Sequence, residues 1–213
     1  DSCPNDVEAR CRLAECLWER GTRQQAVEHL SRAVEMSGGK DPSMLIQLGQ
    51  MHLALGDLGE ASRLADSALR AAPRNEAAWR LHATVLERQG RVPEALDSYY
   101  RSLSYDSHDP DTLLAVAELQ HQLGRPSRTL ATLQRLDSSL IADAAKCRVW
   151  ELRGYAQQQV GRYDEAVVSL TKAVELGPPS AELRAQLAEV HWHLGHEELA
   201  RRTLRDAFLL ATP

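Results

Sequence analysis

Apolar side chains recur at three- and four-residue steps on both sides of a series of regularly spaced glycines. This spacing places the apolar residues on one face of an α-helix. Successive glycines of the series are 34 to 37 residues apart: Gly21, Gly56, Gly90, Gly124, Gly161 and Gly195. The pattern therefore predicts six repeats, each made of two amphipathic helices joined by a turn at the glycine.

Small side chains hold two further positions of each repeat. Seven residues before the glycines stand Ala14, Gly49, Ala83, Ala117, Gly154 and Ala188. Five residues after them stand Ala26, Ala61, Ala95, Thr129, Ala166 and Ala200. Small residues at these positions let the two helices of a repeat approach closely. We therefore expect each repeat to be a tightly packed helical hairpin.

The repeats predict one domain over residues 1–213. Its units span approximately 7–40, 41–74, 75–108, 109–142, 147–179 and 180–213. The fourth unit is the irregular one, because the longest glycine spacing follows it and Thr129 and Leu136 replace small residues. We therefore predict an irregular insertion at 137–148.

The repeat resembles the tetratricopeptide repeat (TPR) family, whose unit of about 34 residues carries W-x2-L-G-x2-Y, then A-x3-F, then A and P. Trp79 and Trp150 stand at the family's tryptophan, and the six small residues before the turns stand at its glycine. Arg10 and Arg184 depart from the tryptophan position. The resemblance covers essentially the whole chain and implies an all-α fold, a right-handed α-solenoid of about six TPR helix-turn-helix units.

The resemblance also implies a non-catalytic protein-protein interaction scaffold, because in the family the first helices form a concave wall that usually binds a peptide. In this chain, acidic residues outnumber basic ones at the wall positions nine to three. This balance favours a basic partner segment, although a solvated helix face can also carry glutamate for solubility alone. The candidate groove residues are Glu8, Glu15, Trp18, Glu19, Gln50, Arg80, Glu87, Arg88, Glu118, His121, Glu151, Tyr155, Glu189 and Trp192.

Three large rings of this set, Trp18, Tyr155 and Trp192, are the candidate anchors, since such rings in a groove tend to dominate binding energy. Packing against the neighbouring unit is the competing interpretation of each. Some family members clamp a chaperone's terminal carboxylate with basic wall residues. That clamp is not predicted here, because Cys11 and Glu15 hold wall positions of the first unit.

No other chemistry is predicted. The densest histidine cluster is His191, His193 and His196, but residues two apart on a helix point about 200° from each other, so they do not predict a metal site. The sequence has no catalytic triad order, phosphate-binding loop or nucleotide fingerprint, and we predict no catalytic residue, metal or cofactor. A net charge of −5 without a basic cluster argues against a nucleic-acid partner.

The sequence lacks an apolar run long enough for a transmembrane span. It also lacks an initiator methionine and a signal-peptide core, so we expect a fragment or processed form, cytoplasmic or exported to a periplasm. Two alternatives stay open: a regulatory or targeting segment of a larger enzyme, and an envelope scaffold of a bacterial secretion or export complex. The last helix carries Leu204, Phe208 and Leu210, which predict contact with a longer chain or self-association.

Overall fold

The computed structural model describes residues 4–136, 141 and 143–211. Within these residues it contains twelve α-helices and no strand, which confirms the predicted all-α fold class. The helices are α1 (Pro4–Glu19), α2 (Arg23–Met36), α3 (Pro42–Ala54), α4 (Leu58–Ala71), α5 (Glu76–Arg88), α6 (Val92–Tyr105), α7 (Pro110–Gln122), α8 (Pro126–Gln134), α9 (Asp143–Gln159), α10 (Tyr163–Leu176), α11 (Ala181–His193) and α12 (Glu197–Ala211).

The six predicted glycines form the turns within the hairpins. Each has a φ between +64° and +82°, a region in which a side chain would be strained. In the third hairpin, Gly90 N–H donates to the carbonyl of Glu87, and Arg91 N–H donates to that of Leu86, both at 2.9 Å. The same pair of bonds recurs at all six turns. This is the Schellman arrangement, which satisfies the last carbonyls of a helix and ends it.

The first helices of four hairpins begin at side chains that cap their free N–H groups. Asp41, Asn75, Asp109 and Ser180 precede α3, α5, α7 and α11, and each accepts a hydrogen bond from a backbone N–H two or three residues later. Such caps are worth about 1 kcal/mol each. The short polar residues between hairpins therefore determine where the next hairpin starts.

Helix pairing depends on the small residues. An added Cβ at Gly49 would lie 2.6 Å from Leu81 Cδ2, and one at Gly154 would lie 2.6 Å from both Cγ and Cδ2 of Leu170. Thr129, the exception after the turns, is fully buried, and its hydroxyl donates to the carbonyl of Arg125 at 3.1 Å. The threonine therefore fits without leaving a buried hydroxyl unpaired.

The helices form two compact units, the first ending at Ser107 and the second beginning at His108. In each unit, three hairpins pack in chain order, and first helices of successive hairpins also touch, as α3 touches α5 and α7 touches α9. Across the described ranges, none of the helices combines the length and apolar character that crossing a membrane requires. The assignment of all six hairpins to one domain stays a prediction.

The fourth hairpin has the shortest helix, because α8 has nine residues whereas every other helix has at least thirteen. The predicted irregular insertion at 137–148 includes residues 137–140 and 142, which lie outside the described residues. The insertion therefore stays a prediction.

Candidate functional site

The first unit contains a cavity of about 330 Å³ between α1 and α3, here called the α1–α3 cavity. Four of the predicted groove residues line it, namely Glu15, Trp18, Glu19 and Gln50. The rest of its lining is Gln47, Met51 and Ala54. All seven residues come from first helices, the elements in which the groove was predicted.

The α1–α3 cavity combines carboxylates with an apolar floor. Gln47 Nε2 donates to Glu15 Oε1 at 2.8 Å, so an amide holds this carboxylate in place. Trp18 is half-buried and packs against the core of the first unit. The guanidinium of Arg23 lies 5.6 Å from the centroid of the Trp18 ring. Trp18 therefore packs on its neighbours, as its competing interpretation expected, and also lines the cavity.

The second unit contains a larger cavity of about 510 Å³, here called the α7–α11 cavity. Four predicted groove residues line it, namely His121, Glu151, Tyr155 and Glu189. Its remaining lining residues are Arg148, Gln158, Gln159, Tyr163, Glu182, Gln186 and His193. They belong to α7, α9, α10 and α11, so three successive hairpins build this cavity.

Arg148 organises one side of the α7–α11 cavity. Its Nε donates to Glu118 Oε1 at 2.9 Å, and its Nη1 donates to Glu151 Oε2 at 3.0 Å. Burial acts to lower the pKa of Arg148, but the two carboxylates outweigh burial and raise it above the usual arginine value. The arginine is thus fully charged, and its charge is balanced by carboxylates of two helices.

Two ring pairs line the same cavity. Tyr155 stacks on His121 with 5.6 Å between centroids, and Tyr163 stacks on His193 with 4.8 Å. Burial raises the pKa of Tyr155, and its hydroxyl donates to Glu151 Oε1 at 3.2 Å. Burial also lowers the pKa of His121, and nearby Arg148 lowers it further. At neutral pH the Tyr155 and His121 rings are therefore uncharged.

The charge of the α7–α11 cavity is negative. Three carboxylates line it, those of Glu151, Glu182 and Glu189, against the single guanidinium of Arg148. Glu151 and Glu118 share Arg148. Glu182 pairs with no basic side chain in the described ranges, and the nearest such group to Glu189 is His193 Nε2 at 3.9 Å. The carboxylates of Glu182 and Glu189 are therefore available to a cation.

The other predicted residues lie outside both cavities. Glu8 pairs with Arg12 at 2.6 Å on the surface of α1. Glu87 accepts a hydrogen bond from the Tyr99 hydroxyl at 2.7 Å, so it supports a buried tyrosine. Trp192 is 59% exposed on α11. The further residues that line neither cavity are Arg80, Arg88 and Glu118.

The predicted wall consists of the positions thirteen, ten, six, three and two residues before each turn glycine, and four lining residues stand outside it. Gln47 and Gln186 both stand nine residues before a turn glycine, where two other repeats carry a buried leucine. A glutamine at a position where other repeats bury a leucine could have indicated a polar cavity from the sequence. Met51 stands five residues before Gly56, and Tyr163 begins a second helix, so a search confined to five positions of the first helices passed over both.

The histidine cluster contributes to packing. His191 is buried, and its ring lies 5.9 Å from that of His196. Its burial lowers the pKa of His191 below the usual histidine value. In the described part of the chain, no three His, Cys, Asp or Glu side chains are arranged to hold a metal ion.

Family models of the tetratricopeptide repeat match residues 46–110 and 158–211, together more than half of the chain. The chain belongs to the tetratricopeptide repeat family. Its helical hairpins, turn glycines and small-residue contacts are those of the repeat's solenoid fold. TPR units are protein-protein interaction modules, and the chain is accordingly a protein-interaction scaffold.

Solved structures share this fold. YrrB, a TPR protein with an unusual peptide-binding site, is 20% identical with a TM-score of 0.76, over 85% of this chain and 91% of YrrB. A TPR protein from Parabacteroides merdae is 18% identical with a TM-score of 0.73, over 98% of this chain and 81% of its own. PilF from Pseudomonas aeruginosa is 20% identical with a TM-score of 0.66, over 81% and 77%. Comparison with curated protein sequences gives no match.

Proposed function

We propose that this chain is a non-catalytic scaffold that holds a basic segment of a protein partner against its first helices. The observation that carries the proposal is the convergence of predicted wall residues on two cavities. Eight of the fourteen candidates line one or the other, and each cavity has more carboxylates than arginine and lysine side chains. A potential of this sign attracts a cationic segment and speeds its encounter.

The α1–α3 cavity suits the side chain of a lysine or arginine. The Trp18 ring and Met51 offer apolar surface for an aliphatic stem, and Glu15 and Glu19 offer carboxylates for the charged end. An apolar side chain would give neither carboxylate a cationic partner. Charge complementarity therefore favours a basic residue at this position of the partner.

The peptide-binding site of YrrB supports a peptide as the class of ligand, because YrrB has the same fold.

The test compares two synthetic peptides that differ only at their basic positions. One carries lysine and arginine there, and the other carries glutamine. Fluorescence anisotropy should show binding of the basic peptide alone, and the affinity should fall as salt rises, since these charges are near the surface. Reversal of two exposed glutamates, Glu19→Lys with Glu182→Lys, should weaken binding. The same charge change at Glu175→Lys with Asp206→Lys, outside both cavities, is the matched control.

Equal binding of both peptides, or the same loss in the two charge-reversed variants, would contradict an acidic binding groove. A circular dichroism spectrum that matches the parent chain excludes unfolding as the cause of any loss.

A further inference from the structure

We propose that the α7–α11 cavity binds the guanidinium group of one arginine in the partner's basic segment. This inference rests on the proposed function and specifies the ligand of one of its two cavities. It depends on three features of the cavity, which are its available carboxylates, its stacked rings and an unpaired acceptor.

The carboxylates select a cation over an anion. Arg148 is the one basic group in the lining besides histidine, and Glu118 and Glu151 already occupy it. An incoming carboxylate or phosphate would have to displace them and would face Glu182 and Glu189. A cation instead meets these two carboxylates without displacing an arginine or lysine, since Glu189 has only the His193 imidazole beside it, at 3.9 Å.

The rings select a planar cation over a compact one. The Tyr163–His193 pair is stacked with 15° between ring planes, and the Tyr155–His121 pair with 18°. A guanidinium is flat, stacks on aromatic faces, and keeps its N–H groups in its own plane for carboxylates beside the rings. An ammonium carries three donors in a compact head and gains less from such walls.

The unpaired acceptor requires a donor. Gln186 Oε1 is buried and accepts no hydrogen bond from the described residues, and His121 Nδ1 is likewise buried and unpaired. Both residues line the cavity. A buried acceptor without a hydrogen bond is energetically unfavourable. A guanidinium has five N–H groups, enough to donate to both carboxylates and also to Gln186 Oε1.

The arginine is expected to belong to a longer chain. Glu182 and Glu189 are exposed, so the cavity opens to the surface and a side chain can enter from outside. Its volume of about 510 Å³ is also within the range of small-molecule sites. Free arginine is therefore an arm of the test.

The experiment titrates the full 213-residue chain with three short peptides that differ at one position, which is arginine, citrulline or lysine. Citrulline has the shape of arginine without its charge. NMR shifts of Tyr155, Gln158 and Gln186 report on the cavity. We expect the arginine peptide to bind at least about tenfold more tightly than the citrulline peptide and severalfold more tightly than the lysine peptide.

Two variant pairs locate the effect. Glu182→Gln with Glu189→Gln should reduce arginine-peptide affinity about tenfold, whereas Glu175→Gln with Asp206→Asn, which removes the same charge elsewhere, should leave it unchanged. Tyr163→Ala should reduce the preference for arginine over lysine. NMR spectra of the variants check that the unit stays folded.

Three outcomes would overturn the inference. Arginine and citrulline peptides could bind equally, the shifts could avoid the cavity, or free arginine could bind as tightly as the peptide, which would make this a small-molecule site. If basic peptides bind with an affinity that the cavity variants and the choice of arginine or lysine do not alter, the arginine assignment fails and the proposed function survives. If no basic peptide binds the chain at all, the proposed function itself fails.

Discussion

Arg148 on α9 donates from Nε to Oε1 of Glu118 on α7 at 2.9 Å, so two residues thirty positions apart in the sequence join two first helices. Arg148, which lines the α7–α11 cavity, also pairs with Glu151 of its own helix, so its guanidinium neutralises both carboxylates. Wall charge read from the sequence therefore overstates the charge available for binding. Glu182 and Glu189 are the carboxylates whose replacement should matter most.

Arg148→Gln should raise the affinity for a basic peptide by a few fold, because Glu118 and Glu151 lose their partner and join the field of the cavity. The cost in unfolding free energy should be small, about 0.5–1 kcal/mol, because the guanidinium is 42% exposed. Anisotropy and urea unfolding measure the two effects. Arg162→Gln, which breaks an exposed pair with Glu165 outside the cavity, is the control. A weaker basic-peptide complex in Arg148→Gln would contradict this account.

Gly154→Ala should destabilise the second unit by about 1–3 kcal/mol, since the new methyl would overlap Cγ of Leu170, a branch atom that is held by its own backbone. Gly49→Ala overlaps only the end of the Leu81 side chain, which can rotate. The gain of about 1 kcal/mol in helix propensity should offset much of that strain. Urea unfolding followed by circular dichroism compares the two variants. Equal losses of unfolding free energy would contradict this account of the packing.

Cys11 and Cys147 should react more slowly than the exposed Cys16 with an alkylating reagent near pH 8. Burial raises the pKa of both thiols, and nearby carboxylates raise it further, those of Glu15 beside Cys11 and Glu151 beside Cys147. A raised pKa leaves less thiolate at pH 8, so both rates should keep climbing as the pH passes 9. Timed alkylation and mass spectrometry of the peptides give the rates, and equal rates at the three sites would refute the prediction.

The unfolding free energy should fall as the pH drops from 7.5 to 5. Burial lowers the pKa of His82, with Arg91 adding to the effect and Asp66 opposing it. The folded chain then resists protonation while the unfolded chain accepts it, so stability is complete above the unfolded pKa of about 6.5 and declines below it. His82→Gln should flatten the pH dependence of the urea midpoint, and an unchanged slope would count against this cause.

Self-association through α12 stays a prediction, and the exposed apolar side chains of this helix make it testable. Phe208 is 67% exposed and Leu210 is 43% exposed. Burying such a patch against a second copy is favourable. Sedimentation should show a mass that rises with concentration, and Phe208→Glu with Leu210→Glu should abolish the rise. A parent chain that stays monomeric throughout would rule out this branch.

The hairpins could be predicted from the sequence because their signals are local. A positive φ at Gly90 and a cap at Asp41 depend on residues a few positions away, so a single chain carries the whole signal. The candidate site was predicted less well. Glu87 and Glu151 both belong to the predicted wall, yet the first supports buried Tyr99 and the second lines a cavity.

Trp18 and Trp192 show where sequence reasoning ends. Each stands three residues before its turn glycine, and that spacing alone placed both on first helices as candidate anchors. Trp18 is half-buried because α3 packs beside it and contributes Gln50 and Met51 to a shared cavity. Trp192 lies on α11, which has no further first helix beside it in the described residues, and its ring is largely exposed. Periodicity determines which face of a helix a side chain occupies, whereas its burial and partners depend on the helix packed against that face.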